Sequence, residues 1–255
     1  MNIIACVKIV PDDQDIMVKD DGSLNFANAK PAISTFDLNA LEEGSLMHAS
    51  NEGDFVVVTV GDASINDSKV RKNILSRGPE RMVMVADDAL LNADTYQTAS
   101  ALKGAVEKAG AWDVILCGSG SADRYAQQVG SQLGQMLGVP NINAVSKIEV
   151  ADGKLVVERA LEDCLETIEV ALPAVITITS DINTPSIASM KQVLAAGKKP
   201  VEVFTAADIA FDAGATVEEI ETKAPKQADR AKDIVEGDSD EAIATFIEKL
   251  KEIIR

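Results

Sequence analysis

The residues best placed to do chemistry lie in one run, Leu116-Cys117-Gly118-Ser119-Gly120-Ser121-Ala122-Asp123-Arg124-Tyr125-Ala126-Gln127-Gln128-Val129-Gly130. An apolar strand enters a Gly/Ser loop, and a helix is predicted from about Asp123. Small side chains let backbone N–H groups approach a phosphate, and a helix start favours negative charge there. Asp123 sits poorly for a phosphate directly on top and suits a ribose hydroxyl or a helix cap better. Gly118 and Gly120 lack the third glycine of the dinucleotide fingerprint. The spacing fits an anion site, and it fits a plain strand-to-helix turn of an α/β domain equally well.

Other chemistry-bearing residues give less. Lys198-Lys199 follow Gly197 without the upstream glycine of a P-loop. No serine lies in GxSxG, and the single histidine, His48, falls on a predicted helix and reads as a surface residue. Glu162, Asp163 and Glu166 could pair or hold a metal, but a solvated turn is the simpler reading. Cys6 and Cys117 lie in apolar strands, where burial is expected rather than nucleophilic work. With Cys164 they make three scattered cysteines and no CxxC, so neither a disulfide framework nor a structural metal site is expected. Ile187 and Met190 are apolar residues in a loop, able to anchor a partner or to pack on their own domain.

Composition narrows the classes. Acidic residues number 41 against 24 basic ones, a formal charge of −17, which argues against nucleic acid or an anionic membrane over a broad face. Nine aromatics (six Phe, two Tyr, one Trp) leave little for base-stacking platforms. Apolar residues make up 46%, enough for a core. No apolar run approaches the length of a membrane span, and the start, MNIIACVKIV, resembles no secretory signal, so a cytoplasmic protein is expected.

The elements that must position the loop follow from periodicity. Residues 2–8 read as a buried strand, followed by an Asp-rich loop from Pro11 to about Asn28. A helix is predicted near Asp37, a strand at Phe55–Val60 and a helix from Ser64 to Arg77, stopped by Gly78-Pro79. Next come a strand at Met82–Ala86, a helix capped by Asp94 and a strand at Asp113–Cys117. The alternation predicts a parallel sheet with helices on both faces, a Rossmann-like α/β fold whose ligands sit at the carboxyl ends of strands. Residues 146–170 read as a β-hairpin insertion turning at Asp152-Gly153, with a further strand at Thr167–Val170. A buried strand at Ala174–Thr179 precedes a loop and a short helix at Met190–Ala196. Residues 212–238 read as a polar arm. It leads to an amphipathic helix with Ile243, Phe246, Ile247, Leu250 and Ile254 on one stripe, which must dock on its own domain or on a partner.

The order of motifs resembles a known family. It comprises Ala5-Cys-Val-Lys8, Ser76-Arg-Gly78, Gly118–Gly130 with Gln128-Val-Gly130, Val157-Glu-Arg159, Leu172-Pro-Ala-Val175, Asp181-Ile-Asn-Thr-Pro185, Ala188-Ser-Met190 and Lys198-Lys199-Pro200. Together these resemble the β subunit of electron transfer flavoprotein, closest to the Fix-type branch in the Phe36-Asp-Leu-Asn-Ala40 and Tyr125–Gly130 runs. The resemblance implies a heterodimer with an α subunit that carries redox-active FAD. It also implies a nucleotide in the β chain, AMP in ordinary members and a second FAD in electron-bifurcating ones. The implied partners are that α subunit and an acyl-CoA dehydrogenase or related flavoenzyme. An electron carrier rather than a catalyst is expected. The implied domains are a nucleotide-binding unit over residues 1–200, with a recognition-type loop at 183–191, and an arm with its helix over 201–255 docking on α.

By the same resemblance the nucleotide would meet Cys6, Ser34, Phe36, Asp37, Val60, Gly118, Ser119, Gly120, Ser121, Asp123, Arg124, Gln127, Gln128 and Val129. The phosphate would sit at the amides around Gln128 and Val129. Asp13 and Phe36 fall where β approaches the α-bound flavin. Met190, in the loop of Pro185, Ile187, Ala188, Ser189 and Lys191, matches an apolar anchor for the dehydrogenase, and Glu162 matches an acid touching the same region. Bifurcating members show Asp-Gly-Asp-Thr where this chain has Asp123-Arg-Tyr-Ala126, and a bulky Arg124 favours AMP over FAD. Two readings compete. A universal-stress-like nucleotide-binding regulator shares the alternation and the loop but leaves 146–200 unexplained. A nucleotide-transferring enzyme would require a base or metal constellation that the sequence does not display.

Overall fold

The computed structural model describes residues 1–151, 153–226 and 232–254. In chain order the elements are β1 (Ile3–Cys6), β2 (Ile9–Pro11), β3 (Met17–Val18), β4 (Leu24–Asn25), β5 (Pro31–Ile33), α1 (Thr35–Ser50), β6 (Phe55–Gly61), α2 (Ser68–Leu75), β7 (Arg81–Ala86) and α3 (Thr95–Ala109). There follow β8 (Val114–Gly118), α4 (Val129–Leu137), β9 (Asn141–Ala151), β10 (Lys154–Ala160), β11 (Leu165–Val170), β12 (Ala174–Ile178), α5 (Met190–Ala196), β13 (Val201–Phe204) and α6 (Asp240–Ile253).

Nine strands form one sheet in the order β11-β10-β9-β12-β8-β1-β6-β7-β13. Its pairings are parallel except at β9-β10 and β10-β11. This is the expected Rossmann-like α/β architecture. Both faces of the central strands are covered, which is why their sequences are continuous apolar runs. Alternate residues feed two cores. Ile3, Ala5 and Val7 pack with Leu41 of α1 and Ile74 of α2, whereas Ile4 and Cys6 pack with Leu102 and Val106 of α3 and Leu133 of α4. The chain leaves β1 for β6 on one side, and β8 lies on the other. That reversal of strand order opens a crevice at the carboxyl ends of β1 and β8.

Several boundaries differ from expectation for physical reasons. The helix predicted from Ser64 is two pieces. Asp62 caps a 3-10 turn, and Asp67, instead of lying in the first turn, is the N-cap of α2, accepting from the amides of Lys69 and Val70. The helix predicted from Asp123 begins at Val129, because Tyr125 and Gln127 have positive φ, a left-handed conformation that breaks a helix. Val201–Phe204, assigned to the arm, is instead the edge strand of the main sheet, parallel to β7. His48 is half-buried, its ring 6.1 Å from that of Phe55, rather than on the surface. The hairpin is present and longer than expected, since β9 first runs parallel to β12 and then turns antiparallel to β10. Asp152 of its turn lies outside the described residues.

Candidate functional site

A cavity of about 330 Å³ fills the crevice. Its floor is Cys6, Val7 and Lys8 at the end of β1, Val60 of β6, and Cys117 and Gly118 of β8. The Gly/Ser loop contributes Ser119, Gly120, Ser121, Arg124, Ala126, Gln127 and Gln128, and α4 contributes Val129 and Gly130. Of the residues expected at a nucleotide, Cys6, Asp37, Val60, Gly118, Ser119, Gly120, Ser121, Arg124, Gln127, Gln128 and Val129 therefore meet in one place. Ser34, Phe36 and Asp123 support the loop instead of lining the cavity. Ser34 Oγ accepts from the Ala122 amide at 3.2 Å, and the Phe36 ring packs 5.0 Å from that of Tyr125. Asp123 takes both its oxygens to Lys8 Nζ at 2.8 and 2.6 Å. Burial opposes ionisation of Asp123, but Lys8 and the Ser121 hydroxyl hold its carboxyl below the usual range. Asp13 is exposed in a 3-10 turn after β2, outside the cavity lining.

Two glycines let the loop and helix close on the sheet. A Cβ on Gly118 would lie 2.5 Å from Asp37 Oδ1 and 2.9 Å from the Phe36 backbone, and one on Gly130 would lie 2.7 Å from Thr177 Oγ1. The start of α4 has no side-chain cap among the described residues, and Gln128, Val129 and Gly130 line the cavity, so the first-turn amides, which have no helical acceptor, are available to a ligand there. Thr177 Oγ1 lines the cavity, buried, and has no hydrogen-bond partner among the described residues. Uncapped amides, glycines in tight contact and an orphan hydroxyl fit a phosphorylated ligand of nucleoside size, at the lower end of the volumes such sites take.

The floor is chemically quiet. The hydrogen bond of Cys6 to Cys117, together with burial, pushes the Cys6 thiol up, so it is no nucleophile. Asp37 is buried, and burial raises its carboxyl to about 7 against the opposing pull of the Lys8 and Gly118 amides. A group whose folded pKa lies above its unfolded value adds stability fully below about pH 4, and that stability is lost as pH rises through about 7. Asp37→Asn should therefore flatten the stability profile between pH 4 and 8 relative to wild type. Thermal unfolding at closely spaced pH values checks this, and parallel profiles for the two proteins would refute it.

Sequence reasoning missed the opposite wall. Asp94, Thr95, Thr98 and Leu102 of the α3 end line the cavity, as do Ala93 and, from the arm, Val217. Asp94 was legible as a helix cap and does accept from the Gln97 amide in a capping box. Its second oxygen, however, takes the Thr216 amide at 2.5 Å, the Thr216 hydroxyl at 2.8 Å and the Val217 amide at 3.3 Å. Burial disfavours its charge, but these donors outweigh burial and hold Asp94 at about 2. Nothing local in the sequence signals that contact, which spans more than a hundred residues.

The chain matches the family model of the electron transfer flavoprotein domain over residues 23–209, well over half its length. The chain belongs to the electron transfer flavoprotein family. The match ends just beyond β13, so the arm and α6 lie outside the matched domain. The loop expected to dock a partner lies on the α1/α2 face, apart from the cavity lining. Ile187 and Met190 are 94% and 74% exposed, while Pro185 and Ala188 are half-buried. Ser189 caps α5 in a box with Gln192, placing Met190 and Lys191 at its first positions. The loop is stitched to the body where sequence gave no warning. Asn39 Nδ2 donates to the Ser180 and Asn183 carbonyls, Ser186 donates to Glu42, and Arg77 donates to the Ser186 carbonyl. Glu162 is exposed in the β10–β11 turn. Among the described residues no group of acids, cysteines and histidine is arranged to hold a metal ion, and no helix is long and apolar enough to cross a membrane.

Proposed function

We propose that this chain is the β-type subunit of a two-subunit electron transfer flavoprotein, holding AMP in the β1/β8 crevice while a partner α subunit carries the redox FAD. The observation that carries this reading is the cavity itself, with the uncapped α4 amides on one side and the orphan Thr177 hydroxyl at its floor. Flavin supplies one- and two-electron chemistry when bound in the partner. This chain's own residues bind and orient: the α4 amides hold a phosphate, and Val60, Ala93 and Leu102 offer an apolar seat for a base. Arg124 supports AMP over a second FAD. Arg124 lines the cavity and pairs with Glu219 at 2.5 Å, so a bulky side chain stands where the resemblance puts glycine in the FAD-binding members.

Two exposed apolar surfaces support the partners. Ile187, Met190 and Leu194 form an anchor suited to a pocket on a dehydrogenase, with the Fix-type acyl-CoA systems as the favoured class. The stripe of α6 suits the α subunit. The reading describes an electron carrier working in the cytoplasm, with no catalytic side chains of its own.

The deciding measurement is to co-express the chain with its neighbouring open reading frames, denature the purified complex, and count released nucleotides per chain. One FAD and one AMP per heterodimer is the expected result. Two FAD and no AMP would replace the carrier by a bifurcating form. No flavin and no co-purifying chain would overturn the electron-transfer reading in favour of a regulatory nucleotide-binding protein.

A further inference from the structure

The arm does not leave the body at β13. Ile209 and Phe211 pack on the α3/α4 core. The Ala213 carbonyl accepts from Gln97 Nε2 at 3.2 Å, and Thr216 and Val217 close on Asp94. Glu219 then pairs with Arg124 of the Gly/Ser loop. Farther on, Lys223 bridges to Ser23, and the Ala224 amide donates to the Gly22 carbonyl at 2.9 Å. The segment is thus fixed at both ends and crosses from the start of α3 to the loop that faces it. Val217 is 69% exposed and yet lines the cavity, the only lining residue from the arm among the described residues.

We infer that arm residues 213–219 form a removable wall of the nucleotide site, latched to the body through Asp94 and Arg124, so that nucleotide leaves only when the arm lifts. The inference rests on the proposed nucleotide site and adds its regulation. The other walls are strand ends, core helices and the Gly/Ser loop, which is tied to the body by the Lys8–Asp123 pair and the Ser34–Ala122 hydrogen bond. The arm segment is held by a few polar contacts and buries no large apolar side chain between residues 212 and 219, so it is the part that opens at least cost. Asp94 acts here as a positioning residue, since its carboxylate places the Thr216–Val217 turn against the cavity. Arg124 belongs to both parts, so the loop and the wall are set together.

The test uses the full chain in its purified complex, loaded with radiolabelled AMP and chased with unlabelled AMP. Thr216→Val with Glu219→Gln changes only exposed arm residues and leaves the body intact, while Asp94→Asn attacks the latch from the body side and still caps α3. Both are expected to release AMP at least tenfold faster than wild type. Amide hydrogen exchange at residues 213–219 should slow in wild type when AMP is bound. If wild type holds AMP and the variants release it at the same rate, the wall is overturned and the nucleotide site stands. If wild type takes up no AMP, the site and the wall fall together.

Discussion

Gly118→Ala should both destabilise the chain and empty the proposed nucleotide site. The added Cβ meets Asp37 Oδ1 at 2.5 Å and the Phe36 backbone at 2.9 Å, and neither is the free end of a flexible side chain. Asp37 is buried, fixed by the amides of Lys8 and Gly118, and α1 begins one residue before Phe36. To relieve the overlap, either the loop must lift off α1 or the start of α1 must shift. Overpacking of this kind costs about 1–3 kcal/mol. Disturbing the two amide bonds to a buried carboxyl adds about 1–3 kcal/mol more. For a chain of this size the sum corresponds to a fall in melting temperature of roughly 5–15 °C. Because the same loop presents the cavity's amides, AMP affinity should fall by about a hundredfold, equivalent to about 2.7 kcal/mol. Thermal unfolding with and without AMP reads both effects. Gly197→Ala is the control, since Gly197 has helical backbone angles and a Cβ there makes only ordinary contacts. Wild-type melting and an unchanged AMP response in Gly118→Ala would remove the loop from the site.

The second large effect is expected at the other end of the chain and has the opposite signature. No residue of α6 is buried. Its stripe of Ile243, Phe246, Ile247, Leu250 and Ile254 is between 41% and 74% exposed. Replacing Phe246 and Leu250 by Asp should therefore leave the isolated chain's melting temperature where it is, within the scatter of surface substitutions, about 0.5 kcal/mol. In the proposed heterodimer, covering the exposed half of each of those side chains contributes about 1 kcal/mol, and an aspartate placed there adds a desolvation cost. The pair should weaken association with the α subunit by at least about a hundredfold, or about 2.7 kcal/mol. Co-purification and sedimentation of the two chains measure it. Undiminished assembly would mean that the stripe covers something other than the α subunit.

The alternation of strands and helices was legible because the central strands carry nearly continuous apolar runs, from Ile3–Cys6 to Ala174–Ile178, broken only by a threonine in β6 and in β12, and the helices carry spaced ones. The edge strand Val201–Phe204 was not. It is short, half-exposed and preceded by Lys199-Pro200, and its place is set only by pairing with β7. Tertiary contact also overrode the local reading at Asp123. That residue has the chemistry of a helix cap, but Lys8 claims its carboxylate and the helix waits until Val129. The site was half-legible for the same reason. Its glycines and small polar residues lie in one run, whereas Thr177, Asp94 and Val217 come to the cavity from elements whose own sequences say only strand, cap and arm.

The connection from β12 to β13 has a mechanical consequence. It leaves the sheet in its middle and rejoins it at the far edge, passing β8, β1, β6 and β7, a span of about 24 Å at ordinary strand spacing. Along the way it is sewn to α1 through Asn39 and Glu42 and to Arg77 just past the end of α2. The exposed Met190 and Ile187 are therefore carried on a strut braced at both ends, not on a free leash. A pull on α5 is borne by the whole sheet, so a partner gripping Met190, as proposed, would hold a fixed point of the fold rather than a loose end.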